Sequence, residues 1–172
     1  ELDDALRTKA SNKYWNIEYE QKPHEYVVAS YKFNAKKANL MPSFNKEFTD
    51  YTYEDVQVLN YTQRTIKSTQ LPTKIKFGTE DLSAKEASSL ICLMQCCAKE
   101  LDDCSNMFKN CNNLTDVYFH LFDNYKVKDM HSMYEGCSKF DEIVQFVCEN
   151  EIEDARNMFK DCSSLWSLYI QN

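Results

Sequence analysis

The second half of the chain writes one spacing of apolar residues three times. Cys104, Met107, Phe108, Cys111 and Leu114 fall at i, i+3, i+4, i+7 and i+10, and the same spacing returns at Met130, Met133, Tyr134, Cys137 and Phe140, then at Ala155, Met158, Phe159, Cys162 and Leu165. Steps of three and four mark one face of an α-helix, so the pattern predicts a short helix in each copy. Asp103, Asp129 and Asp154 stand directly before these runs, placed to accept hydrogen bonds from free backbone N–H groups as helix N-caps. Beyond each run the step changes to two, at Val117 and Phe119, Ile143 and Gln145, and Leu168 and Ile170, which predicts a short strand.

The copies start 26 and 25 residues apart. A unit of that length is too small to bury its own apolar face and becomes stable by stacking on its neighbours. The fold class expected is therefore α+β: a short leucine-rich-repeat-type solenoid, with one short helix and one short strand per repeat and the strands in a parallel ribbon. Aligning Ala87-Ser88-Ser89-Leu90 with Cys162-Ser163-Ser164-Leu165 gives a degenerate fourth copy, with Phe77 beneath Leu101. There Ala84, Ala87, Ile91, Met94, Ala98 and Leu101 keep the helical spacing, so a longer helix is expected, opened by a Ser83–Glu86 capping box.

The N-terminal region has a different texture. Leu2 to Ala10 suggests a short helix, and Tyr14 to Tyr19, Tyr26 to Phe33, Val56 to Tyr61 and Lys74 to Phe77 are β-branched and aromatic stretches that predict strands. Ala35 to Asp50 reads as a long loop. The expected organisation is residues 1–76 as a helix plus antiparallel β cap, and residues 77–172 as three to four repeats.

The Met-aromatic-x-x-Cys-x-x-Leu/Phe units at Met107, Met133 and Met158 resemble the repeats of mycoplasma-type surface proteins, related to BspA-like leucine-rich repeats, over residues of about 77–172. The resemblance implies a parallel helix–strand solenoid and a role in adhesion or recognition at cell surfaces. It brings no catalytic residues with it.

Composition narrows the chemistry. With 172 residues, 43% of them apolar, the chain can bury a core, and no apolar run reaches the roughly 18 residues that span a bilayer. Only Gly78 and Gly136 are present, which rules out glycine-rich phosphate loops. From residue 81 onward there are 16 acidic and 8 basic side chains, a net −8. That half repels nucleic acid and suits a basic protein surface.

Cys111, Cys137 and Cys162 share one inward site and read as a ladder of small buried hydrophobes, not a disulfide framework. Free thiols point to a reducing compartment, whereas the resemblance points to the cell surface. No metal is expected, since no Cys-x-x-Cys pair exists and only His24, His120 and His131 are available. No cofactor and no catalytic constellation are expected either.

Stacked strands would align Asp116, Tyr118, Glu142, Val144, Ser167 and Tyr169 into an acidic-aromatic strip, the expected partner-binding surface. The sequence reading is thus a non-catalytic protein-recognition or adhesion module using the strand face, with a structural assembly subunit as the alternative. Self-association through an uncapped last repeat is a further expectation.

Overall fold

A computed structural model describes residues 23–118, 127–141, 143–147 and 151–171, with main chain alone considered for 143–147 and 169–171. The expected helix over Leu2 to Ala10 and strand over Tyr14 to Tyr19 lie outside the described residues. Nine strands and one four-residue helix are described. They are β1 (Tyr26–Phe33), β2 (Ser43–Phe44), β3 (Thr52–Val58), β4 (Tyr61–Ser68), β5 (Ile75–Lys76), α1 (Ala84–Ala87), β6 (Leu90–Cys96), β7 (Asp116–Val117), β8 (Ile143–Val147) and β9 (Ser167–Gln171).

The main sheet is mixed, in the order β3-β4-β1-β6-β7. Only the β6–β7 pairing in it is parallel. β1 occupies its centre, where Val28, Ala29, Tyr31 and Phe33 are fully buried. Tyr31 donates its hydroxyl to the Leu40 carbonyl at 2.8 Å, and Arg64 donates to the same oxygen at 2.8 Å while gripping Asp55 through two hydrogen bonds of 2.6 and 2.7 Å. The guanidinium lies over the Tyr53 and Phe33 rings, 4.3 and 5.1 Å from their centroids. A buried cation is tolerated because every face of it has a partner. β2 and β5 form a small antiparallel pair, and β8 and β9 a parallel one.

The helix-and-strand solenoid is not what forms. Residues 103–111, 129–137 and 154–162 are chains of tight turns. Asp103, Asp129 and Asp154 do accept backbone hydrogen bonds, but each binds the N–H two residues on, at 2.7, 2.9 and 2.9 Å, closing a turn instead of capping a helix. Two positions in every copy then take positive φ: Asn106, Ser132 and Asn157, and after them Asn110, Gly136 and Asp161. A right-handed helix cannot pass through such residues. Successive i→i+3 bonds, as from Met107 N–H to Cys104 O and from Cys111 N–H to Phe108 O, bring residues three and four apart to one side as a helix would. This shared spacing is why the apolar pattern suggested helices.

The turn segments stack as layers. Cys104, Asn106, Phe108 and Asn110 donate their N–H groups to the carbonyls of Asp129, His131, Met133 and Glu135, at 2.7–2.9 Å, and Met130, Ser132, Tyr134 and Gly136 donate to Asp154, Arg156, Met158 and Lys160. Phe77 and Thr79 likewise donate to Met107 and Lys109. Phe77 therefore sits beneath Phe108, which corrects the alignment that placed it beneath Leu101. The rings form a column, Phe77–Phe108 at 6.0 Å, Phe108–Tyr134 at 5.1 Å and Tyr134–Phe159 at 5.4 Å between centroids. Beside it runs the expected thiol ladder: Cys111, Cys137 and Cys162 donate to the carbonyls of Phe77, Phe108 and Tyr134 at 3.4, 3.0 and 3.0 Å. Burial pushes all three thiols up, the half-buried Cys162 to about 11. Seven cysteines are described, all as thiols.

The longer helix expected over Ala84 to Leu101 is also corrected. Its capping box is present, Ser83 and Glu86 exchanging the two bonds that define it, but the helix stops after Ala87. Leu90–Cys96 becomes β6, a strand between β1 and β7 with Leu90, Cys92, Leu93 and Cys96 buried. A neighbour on each side supplies long-range backbone bonds and apolar contacts that a lone helix could not match, so tertiary context overrides the local spacing.

Gly78 belongs to the first layer, and a Cβ there would strike the Asn106 carbonyl and the Lys109 nitrogen of the next. Both are backbone atoms and cannot swing away. Gly78→Ala is expected to cost about 2–4 kcal/mol of unfolding free energy. Gly136→Ala, which meets mainly the Asn110 side chain at φ +78°, is expected to cost about 1–2 kcal/mol. Urea unfolding midpoints of the two variants test that order.

Candidate functional site

Stacking turns of identical shape brings identical side chains together, and Asp103, Asp129 and Asp154 fall into a column joined by parallel bridges. Like charges in a column repel. Each carboxylate has a different partner: Lys76 Nζ lies 3.4 Å from Asp103, His131 Nδ1 lies 2.8 Å from Asp129, and Arg156 clasps both oxygens of Asp154 at 2.7–3.2 Å. Hydrogen bonding to Arg156 pulls the Asp154 carboxyl down to about 2. At Asp103 burial works in the opposite direction, but bonds from Ser105 and the charge of Lys76 override it and hold the pKa low.

Asp129, His131 and Asp154 bring one ligand atom each within 4.8 Å of one another. Histidine nitrogen and carboxylate oxygen are suitable donors for a divalent cation such as zinc. In this arrangement the donors are already engaged: His131 contacts Asp129 through Nδ1 and Asn106 Nδ2 through Nε2 at 3.1 Å, and Arg156 supplies positive charge to Asp154. The cluster reads as a set of polar ties within the stack. Sequence reasoning missed it, although Asp-x-His in one copy above Asp-x-Arg in the next was the available signal.

A second polar tie crosses the layers at Glu135. It is paired with Lys109 of the preceding layer at 3.1 Å and with Lys160 of the following one at 3.0 Å. A hydrogen bond from Ser132 and the two lysines pull its carboxyl down to about 2.

Five of the six residues of the strip expected from the sequence fall among the described residues. Asp116 is half-buried in β7 and bonded to the Thr115 hydroxyl, and Tyr118, just beyond β7, is 52% exposed. Glu142 lies outside the described residues. Val144 is in β8, and Ser167 and Tyr169 are in β9. Among the described residues β7 pairs with β6 in the main sheet, and β8 pairs with β9 in a two-stranded sheet. Their register puts Ser167 opposite Ile143, Leu168 opposite Val144 and Tyr169 opposite Gln145, one residue away from the rows Glu142–Ser167 and Val144–Tyr169.

Two residues outside the expected strip are also open apolar groups in this region. Trp166 is 85% exposed and Leu168 43% exposed. The signal for Trp166 was an aromatic residue at a variable position of the repeat, between Leu165 and Leu168.

These layers carry a family likeness. Residues 93–169 match the family described as Mycoplasma protein of unknown function, DUF285. The match covers the end of β6, the three turn layers, β7, β8 and the first three residues of β9. No curated protein and no solved structure matches the chain. The mycoplasma side of the sequence resemblance is thus found, and the BspA-like leucine-rich side is not. Among the described residues no helix is long and apolar enough to cross a membrane.

Glu135 sets an acid dependence. Its folded pKa, about 2, lies below the roughly 4.3 of an unfolded glutamate, so its stabilisation is complete above about pH 4.5 and is lost as pH falls through about 2. Glu135 is 14% exposed at the side chain, and Glu135→Gln is expected to cost about 1 kcal/mol at pH 7 and to flatten the stability profile between about pH 4.5 and 2. Urea titrations at a series of pH values would measure both effects.

Proposed function

We propose that the chain is a non-catalytic protein-recognition module whose partner-binding surface is built around Trp166, with Leu168 and Ser167 of β9 beside it in sequence. The observation that carries this reading is the exposure of Trp166, 85% in a segment whose neighbouring layers bury nearly every ring. Exposed tryptophan on a rigid support is costly in water and is the residue most enriched among interface hot spots. Tyr118, 52% exposed, extends the same chemistry to the end of β7.

The acid balance of residues 81–172, net −8, favours a partner with a basic surface and an association rate that falls with added salt. The likeness to a mycoplasma family is compatible with adhesion or recognition at a cell surface, the role the sequence resemblance implies. Buried thiols such as Cys104, Cys111 and Cys137 lie within the core and have no need of an oxidising or a reducing compartment to persist.

The test is capture of partners from the native source, followed by affinity measurement with Trp166→Ala. Truncating an interface hot spot costs about 2 kcal/mol or more, so a roughly thirtyfold loss of affinity is expected. Folding stability should stay within about 0.5 kcal/mol, because the side chain is at the surface. Unchanged affinity for the captured partner would remove Trp166 from the interface. Loss of affinity that is insensitive to salt would remove the charge argument.

A further inference from the structure

The hairpin of β3 and β4 ends in a two-residue turn, Leu59-Asn60, just beyond the paired Val58 and Tyr61. Leu59 is 91% exposed and holds φ at +49°, a left-handed conformation that Asn or Gly takes more readily than a bulky apolar residue. Val56 is 56% exposed, and every residue from Thr52 to Gln57 is exposed, so neither face of β3 is covered there. No residue from Val56 to Gln63 carries a charge. The carbonyls of the turn are satisfied from within the hairpin: Gln57 donates its side-chain amide to the Leu59 and Tyr61 carbonyls at 3.4 and 3.0 Å, and accepts from Thr62 Oγ1 at 3.0 Å.

Lysines gather behind this tip. Lys32 of β1, opposite Gln63, sets its Nζ over the Tyr61 ring, 5.1 Å from the centroid. Lys36 and Lys37 lie in the turn that follows β1 at the same end of the sheet, and Lys85 lies in α1, just ahead of the start of β6 opposite Phe33. Lys37 donates to the Ser88 carbonyl at 3.3 Å. Among the described residues none of the four is paired with a carboxylate. The acids toward this end are already engaged: Glu86 by the Ser83 cap, Asp116 by the Thr115 hydroxyl, and Glu54 and Asp55 of β3 by Lys67 and Arg64.

We propose that the β3–β4 turn is a membrane-docking tip, which sets Leu59 and Val56 into the apolar boundary of an anionic lipid surface while Lys32, Lys36, Lys37 and Lys85 meet the headgroup phosphates. The order of groups along the hairpin selects this occupant. Leu59 stands furthest out, Tyr61 with its apolar ring and polar hydroxyl comes next, and the lysines follow on the neighbouring segments. That is the order of hydrocarbon, interface and phosphate in a bilayer leaflet. Lysine suits such a surface because its long stem lets the ammonium reach phosphates that hold no fixed positions. Backbone carbonyls entering an apolar layer need internal partners, and Gln57 supplies them. A protein pocket for Leu59 would call for directional donors and acceptors beside the tip, and those of Gln57 and Thr62 are spent within the hairpin. The charge of the chain does not oppose the docking, since residues from 81 onward carry −8 of the overall −7 and leave residues 1–80 at +1. Charges more than about 10 Å from the membrane are largely screened at physiological salt.

This proposal does not rest on recognition through Trp166. The full chain is sedimented with vesicles of equal parts phosphatidylcholine and phosphatidylglycerol, and with vesicles of phosphatidylcholine alone. Partition onto the anionic vesicles is expected to exceed that onto the neutral ones by about tenfold or more and to fall with added salt. Leu59→Asn is expected to weaken the anionic partition by about tenfold, with a urea midpoint no lower than that of the unsubstituted chain, because Asn accepts the left-handed φ. Lys36→Gln is expected to weaken it by about fivefold and to leave the neutral vesicles unaffected. Absence of binding to the anionic vesicles would overturn the proposal. So would binding that survives Leu59→Asn and is lost in Trp166→Ala, or a soluble protein of the native source that binds through Leu59 while the vesicles do not.

Discussion

The constraint on which the stack depends is the direction of its backbone hydrogen bonds. In the middle layer every N–H from Met130 to Cys137 has an acceptor. Alternate groups cross to the next layer, the intervening ones close i→i+3 turns within the layer, and His131 N–H binds the Asp129 carboxylate. This accounting works because Ser132 and Gly136 take positive φ and turn the chain so that donors leave on one side and acceptors on the other. Ring stacking and thiol donation follow from it. Once the backbones are held in register, Phe108, Tyr134 and Phe159 have no position available except one above another. The buried column then adds the apolar contact that turns of this length cannot supply alone.

The same register creates an electrostatic problem and its solution. Stacking identical turns stacks identical carboxylates, and the repeat answers with partners from unequal sources: a buried lysine for Asp103, a histidine ring nitrogen for Asp129 and an arginine for Asp154. Glu135 shows the converse, one acid shared by lysines from the layers on either side. These groups gather in one place because the fold repeats. A metal-like constellation of Asp, His and Asp arises from that repetition without any requirement for a ligand.

Much of the interior was legible from the sequence, and most of the backbone was not. The offsets of aromatic and cysteine residues identified the inward column and the thiol ladder, β1 coincides with the expected strand at Tyr26–Phe33, and the Ser83–Glu86 capping box is present. Short strands after each copy exist at β7, β8 and β9. The helices failed because spacing by threes and fours is common to a helix and to consecutive tight turns. The distinguishing residues were in view: Asn, Ser, Gly and Asp recur at the two positions that become left-handed, and these are poor choices inside a helix. β6 failed for another reason, since its state is decided by β1 and β7 and not by its own period. The register between β8 and β9, which sets Ser167 opposite Ile143, is a quantity that repeat alignment does not fix.

The layers are rigid in length where the connections are not. Asp103 to Cys111, Asp129 to Cys137 and Asp154 to Cys162 are the same interval, while the copies begin 26 and then 25 residues apart, so the extra residue lies in the link. Because each layer offers its neighbour the same row of acceptors, loss or duplication of one whole unit would leave the remaining pairings intact. A single-residue insertion inside a layer would exchange donors for acceptors along everything that follows it. Natural length variants of this chain should therefore differ by whole periods or by changes confined to the links, and frame-preserving slips within the Asp-to-Cys intervals should be rare.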